Sequence, residues 1–93
     1  MRLGAVTQQP NELLSYTVWY NHALVDEDEV LSASITADPV GEIIVSGVST
    51  NTDRVQFWVT GGLSGVRYTL TVSMTTTEGR IYEDELIFLI REI

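Results

Sequence analysis

The chain contains no cysteine and no lysine, and only one histidine and two prolines. Without cysteine there is neither a disulfide nor a thiolate metal site, and folding in a reducing cytoplasm is expected. Without lysine, all the positive charge rests on five arginines against thirteen acids, for a net charge of −8. That balance denies the chain the basic patch that phosphate contacts with DNA or RNA require, and it favours solubility. Long apolar runs are also missing. The longest, Leu86 to Ile90, is far short of the ~20 residues that cross a bilayer, so no membrane span is expected. The opening MRLGAVTQQPNE has no apolar stretch of the secretory kind. His22 sits in a polar loop, and no activating motif surrounds any serine, so a Ser-His-Asp arrangement has no support.

What the chain does have is alternation. From Tyr68 to Thr75, Tyr68, Leu70, Val72 and Met74 take one parity, and Thr69, Thr71, Ser73 and Thr75 the other. This is a half-buried strand with one oily face and one hydroxyl face. The same reading gives strands at Leu14–Tyr20, Leu31–Thr36, Glu42–Val48, Val55–Val59 and Arg80–Arg91, with a loop over Ser49–Asp53 and turns at Asp38–Gly41 and Thr77–Gly79. No helical period, repeat or linker interrupts them. Ninety-three residues make one domain. The expected fold is all-β: an immunoglobulin-like antiparallel β-sandwich of six or seven strands over residues 13–93, preceded by a flexible arm over residues 1–12. So small a sandwich offers no deep cleft for a carboxylate pair, and no enzymatic activity is expected.

Between the fourth and fifth strands lies GGLSG. Gly61, Gly62 and Gly65 permit backbone angles closed to other residues. Leu63 is placed to plug the end of the core, and Tyr68 to turn its hydroxyl onto nearby backbone. The pattern G-L-x-x-G-x-x-Y-x-L-x-V is similar to the fibronectin type III corner, with Ser64 where proline is common. A wider resemblance runs from about Glu12 to Ile93. Its residues are Leu14, Tyr16, Val18 and Tyr20; then Val59, Gly61, Gly62, Gly65, Tyr68, Leu70 and Thr71; then Thr75, Thr76, Gly79 and Arg80. The chain departs from the pattern at Trp19, Tyr20 and the segment S-M-T-T-T. It resembles a family of small tailed-bacteriophage proteins described as structural components or fibre–tail adaptors. The resemblance implies a non-enzymatic virion component made in the host cytoplasm, present in many copies as a homo-oligomer, and contacting other virion proteins of tail, neck, fibre or capsid. A capsid decoration protein of the same fold and a carbohydrate-binding sandwich are the alternatives; in the latter, Trp19, Trp58 and Tyr82 would stack on sugar rings.

Parity also nominates an interface. Tyr16, Val18 and Tyr20 point inward, so Trp19 points out; Val55, Phe57 and Val59 point inward, so Trp58 points out. On the last strand Ile87 and Leu89 face away from Leu86, Phe88 and Ile90, and that strand is a candidate edge for pairing between copies. The acid run Asp26-Glu27-Asp28-Glu29 is read as a solvated loop tip. Four consecutive acids cannot converge on one ion, and the Asp-x-Asp-x-Asp-Gly pattern of calcium loops is absent, so neither metal nor cofactor is expected. As an electrostatic contact the run would meet Arg54, Arg67, Arg80 or Arg91 of an adjacent copy.

Overall fold

A computed structural model describes residues 2–92 apart from His22, Ala23 and Asp26, with Arg2 described by its backbone alone. Seven strands follow one another: β1 (Arg2–Gln8), β2 (Leu13–Trp19), β3 (Val30–Asp38), β4 (Ile43–Asn51), β5 (Arg54–Gly61), β6 (Arg67–Thr76) and β7 (Ile81–Ile90). They form two sheets, ordered β1-β7-β6-β3 and β2-β5-β4. Each sheet turns one parity inward, as alternation dictates. Val55, Phe57 and Val59 from β5 meet Tyr68, Leu70, Val72 and Met74 from β6 and Phe88 and Ile90 from β7 in one buried cluster. The two layers touch directly where Tyr16 of β2 sets its ring edge-on to Phe88 of β7, at 5.0 Å and 88°. The result is a sandwich-like all-β arrangement.

Three expectations are corrected. The segment read as a flexible arm supplies β1, which runs parallel to β7 with Val6 opposite Phe88 and Gln8 opposite Ile90. Its attachment combines backbone pairing to β7 with Val6 packed against the core, a contact that the polar residues around it do not announce. Gln8 is buried at the end of β1, where its Nε2 donates to the carbonyls of Val59 (2.9 Å) and Glu12 (3.1 Å) and its Oε1 accepts from the Tyr16 hydroxyl. Because β1 takes this place, β7 lies between β1 and β6 and is no edge. Finally, the polar stretch read as a loop over Ser49–Asp53 continues β4 to Asn51 and leaves only Thr52 and Asp53 as a turn into β5. A bulge between Ser46 and Ser49, with Gly47 at φ 58°, re-registers the strand and hides its continuity.

The glycine corner places Tyr68 as expected: its ring is buried and its hydroxyl accepts from the Leu63 N–H at 2.9 Å. Leu63 itself does not plug the core; it is 53% exposed. The core end is instead closed by backbone, with the Gly62 N–H donating to the Glu42 carbonyl (2.9 Å) and the Gly65 N–H to the Ile90 carbonyl (2.7 Å). Tyr68→Phe removes one acceptor and leaves the Leu63 N–H unpaired. A loss of about 1 kcal/mol is expected, lowering the thermal midpoint of a domain this size by roughly 4–8 °C in a melting experiment.

Candidate functional site

The acid loop is not a uniform solvated tip. Asp26 lies outside the described residues; Glu27, at φ 62°, and Glu29 are exposed. Asp28 turns inward, and its side chain is closed to solvent. Its Oδ1 accepts from the N–H groups of Glu29 (3.0 Å) and Glu78 (3.1 Å) and from the Thr77 hydroxyl (3.0 Å), while Oδ2 pairs with Arg80 at 2.9 Å. Arg80 thus has a carboxylate partner within the chain. The pair ties the β2–β3 loop to the β6–β7 turn, reinforced by the Thr77 N–H donating to the Glu29 carbonyl (2.9 Å). Burial alone would raise the Asp28 pKa. Hydrogen bonds from Thr76, the Glu78 N–H, Thr77 and Arg80 outweigh it and bring the pKa from 3.8 down to about 2.

A carboxyl lowered on folding stabilises the native state above its unfolded pKa and loses that contribution as pH falls through its folded one. For Asp28 this window runs from about pH 4 down to about pH 2. Asp28→Asn is therefore expected to lower the thermal midpoint at pH 7, and the gap to the parent chain should close as pH falls from 4 to 2. Melting curves across that range check it.

Another buried carboxylate, Asp84, accepts from the Tyr20 hydroxyl at 3.0 Å. Burial first, then that bond and the Asp84 charge, hold the Tyr20 hydroxyl protonated far beyond its ordinary range. These are structural contacts between layers. Among the described residues no group of three or more His, Asp or Glu side chains is arranged to hold a metal ion. His22 lies outside them.

The outer faces of the sheets differ in charge. Across β2-β5-β4 the register lays down the rows Leu13–Thr60–Ile44, Ser15–Trp58–Ser46, Thr17–Gln56–Ser49 and Trp19–Arg54–Asn51. No aspartate or glutamate occurs in these rows, although the chain carries thirteen. Trp58 is 41% exposed at the centre and Trp19 49% exposed at one end, with Leu13 and Ile44 also exposed. The Gly47 bulge makes room for Trp58: a Cβ there would stand 2.9 Å from its Cδ1. The Arg54 guanidinium lies 4.7 Å from the Trp19 ring centre, and its Nε is 3.3 Å from Asp53, in the turn beyond the face. The opposite face is hydroxyl-rich and acidic. It carries Ser32, Ser34, Thr36 and Asp38 from β3, the Thr/Ser parity of β6, and Glu83 and Glu85 from β7.

Both tryptophans therefore point outward as parity predicts. Ile87 keeps the outward parity but is only 4% exposed, and Leu89 is half-buried, because β1 and Arg67 flank them. A three-ring sugar platform does not form: Tyr82 turns toward Tyr20, with ring centres 6.4 Å apart. Sequence reasoning missed the Asp28 clamp and the carboxylate-free face. The second was legible once strand parity was compared with the positions of the acids.

Residues 8–89 match the family model described as podophage GP4 fiber-tail adaptor protein gp77. No curated protein matches the chain.

Proposed function

The chain belongs to the podophage fibre–tail adaptor family, a structural and non-enzymatic component of the virion, and we propose that it docks to a neighbouring virion protein through the outer face of β2-β5-β4. One observation carries this reading: in a chain of net charge −8 that face has no carboxylate and presents Trp19 and Trp58. Tryptophan and arginine anchor protein contacts, and charged residues are depleted at interface centres. The small hydroxyls of Ser15, Ser46 and Thr60 around Trp58 leave the indole standing proud. A fibre or tail protein is the proposed neighbour rather than a second copy, since two copies bring together two strongly negative domains.

The proposal includes an immunoglobulin-like fold. Its support is the sheet β2-β5-β4 against β3-β6-β7, a first strand beside the last, and the Tyr68 hydroxyl on the corner backbone. Oxidative footprinting of purified particles and of the free protein tests the docking face. Trp19 and Trp58 are expected to react in the free chain and to be protected in the particle. Equal reactivity in both would rule the face out.

A further inference from the structure

Two sheet edges lie side by side on one flank of the sandwich. β2 ends its sheet and β1 ends the other. Between them runs a groove of about 240 Å³ lined by Leu3, Tyr16, Thr17, Val18, Trp19 and Leu86. Leu3 reaches it because β1 is irregular between Arg2 and Gly4. The volume exceeds the ~150 Å³ cavity that accepts a benzene-sized group, so a large apolar side chain fits.

The edge of β2 has defined chemistry. The Tyr20 N–H donates to the Asp53 carbonyl at 2.7 Å, continuing the ladder to β5. In an antiparallel pair the bonded residues alternate. Val18 and Tyr16 therefore bond β5, while Ser15, Thr17 and Trp19 turn their N–H and C=O groups to the open side. Natural edges are blunted by charge, proline or bulges. β2, LLSYTVW, has none of these, and the irregularity of β1 is confined to its start, between Arg2 and Gly4. The other flank is blunted, with bulges in both β3 and β4 and Asp38 at the end of β3. In constant-type immunoglobulin sheets the first strand sits beside the second. Here β1 has joined β7 instead, and among the described residues no strand pairs with the outer side of β2.

We propose that this place receives an extended segment of another virion polypeptide, which pairs with the β2 backbone and seats an apolar side chain among Leu3, Tyr16 and Leu86. Alternating N–H and C=O groups are matched by an extended strand and by little else. The negative charge of the domain selects an uncharged or basic segment and disfavours a second copy of this chain. The site lies on the flank, is centred on the β2 backbone edge rather than on Trp58, and shares only Thr17 and Trp19 with the outer face.

Hydrogen exchange on the intact particle and on the free protein tests it. The amides of Ser15, Thr17 and Trp19 are expected to exchange at least 100-fold more slowly in the particle. A neighbour lying flat on the outer face shields side chains but does not bond these in-plane amides, so failure here is distinguishable from failure of the face. In parallel, Thr17→Pro deletes an N–H that β5 does not use, a placement proline tolerates on an edge; Thr17→Val keeps that N–H. Loss of incorporation into particles with Pro, with normal incorporation for Val, is the expected result. Unchanged exchange in the particle overturns the proposal, whatever the fold of the proline variant. So does normal incorporation of Thr17→Pro.

Discussion

Gly61→Ala is expected to cost about 3 kcal/mol or more, a large part of the ~5–15 kcal/mol that holds a small domain together. Two effects combine. Gly61 sits at φ 78°, in the left-handed region that costs an alanine about 1–2 kcal/mol. A Cβ at this position would also clash with the Glu42 carbonyl oxygen, which is backbone and cannot swing away. That carbonyl is fixed because it accepts from the Gly62 N–H. The β3–β4 turn and the corner would have to separate for the methyl to enter. Gly65 supplies the control, since it has φ 87° but open space where its Cβ would go. Gly65→Ala should cost the backbone strain alone, about 1–2 kcal/mol. Urea unfolding of both variants separates strain from clash. Equal losses would show that the contact with Glu42 relaxes.

The second large effect concerns binding rather than folding. Trp58→Ala is expected to reduce occupancy in assembled particles, with at least about 30-fold weaker binding, the equivalent of the ~2 kcal/mol that marks an anchor residue. The fold should survive, because the side chain is 41% exposed and packs on a bulge rather than in the core. Trp19→Ala is expected to act in the same direction more weakly, at the end of the face where Arg54 already covers one side of the ring. Ser34→Ala, on the acidic outer face, should leave occupancy unchanged. Particles assembled with each variant and quantified by mass spectrometry supply the measurement. Full occupancy of Trp58→Ala would sink the docking face.

Strand alternation carried most of the fold into view. Tyr68 to Met74 and Val55 to Val59 announced their inward faces because a half-buried strand must alternate, and both outward tryptophans followed from the same parity. The corner was legible through Gly61, Gly62 and Tyr68, whose hydroxyl does reach backbone. Other features depend on partners distant in sequence. β1 reads as a loose polar segment because its order comes from a parallel ladder to β7, some eighty residues away. The same distant pairing covers Ile87, whose exposure parity alone overestimates. Asn51 and its polar neighbours look like a loop because β4 is an edge, where burial demands little of side chains. Four acids in a row suggest solvent. Only the folded hairpin after β6 brings Thr77, the Glu78 N–H and Arg80 to Asp28.

The adaptor has an acidic, hydroxyl-rich outer face on one sheet, a tryptophan face with no carboxylate in its rows on the other, and the edge of β2 on one flank. A reconstruction of the whole particle tests that picture most directly. The expected density has the β2-β5-β4 outer face packed against a fibre or tail protein with Trp58 buried at the contact. Density in which that face is open to solvent, while the face bearing Glu83 and Glu85 makes the contacts, would contradict it.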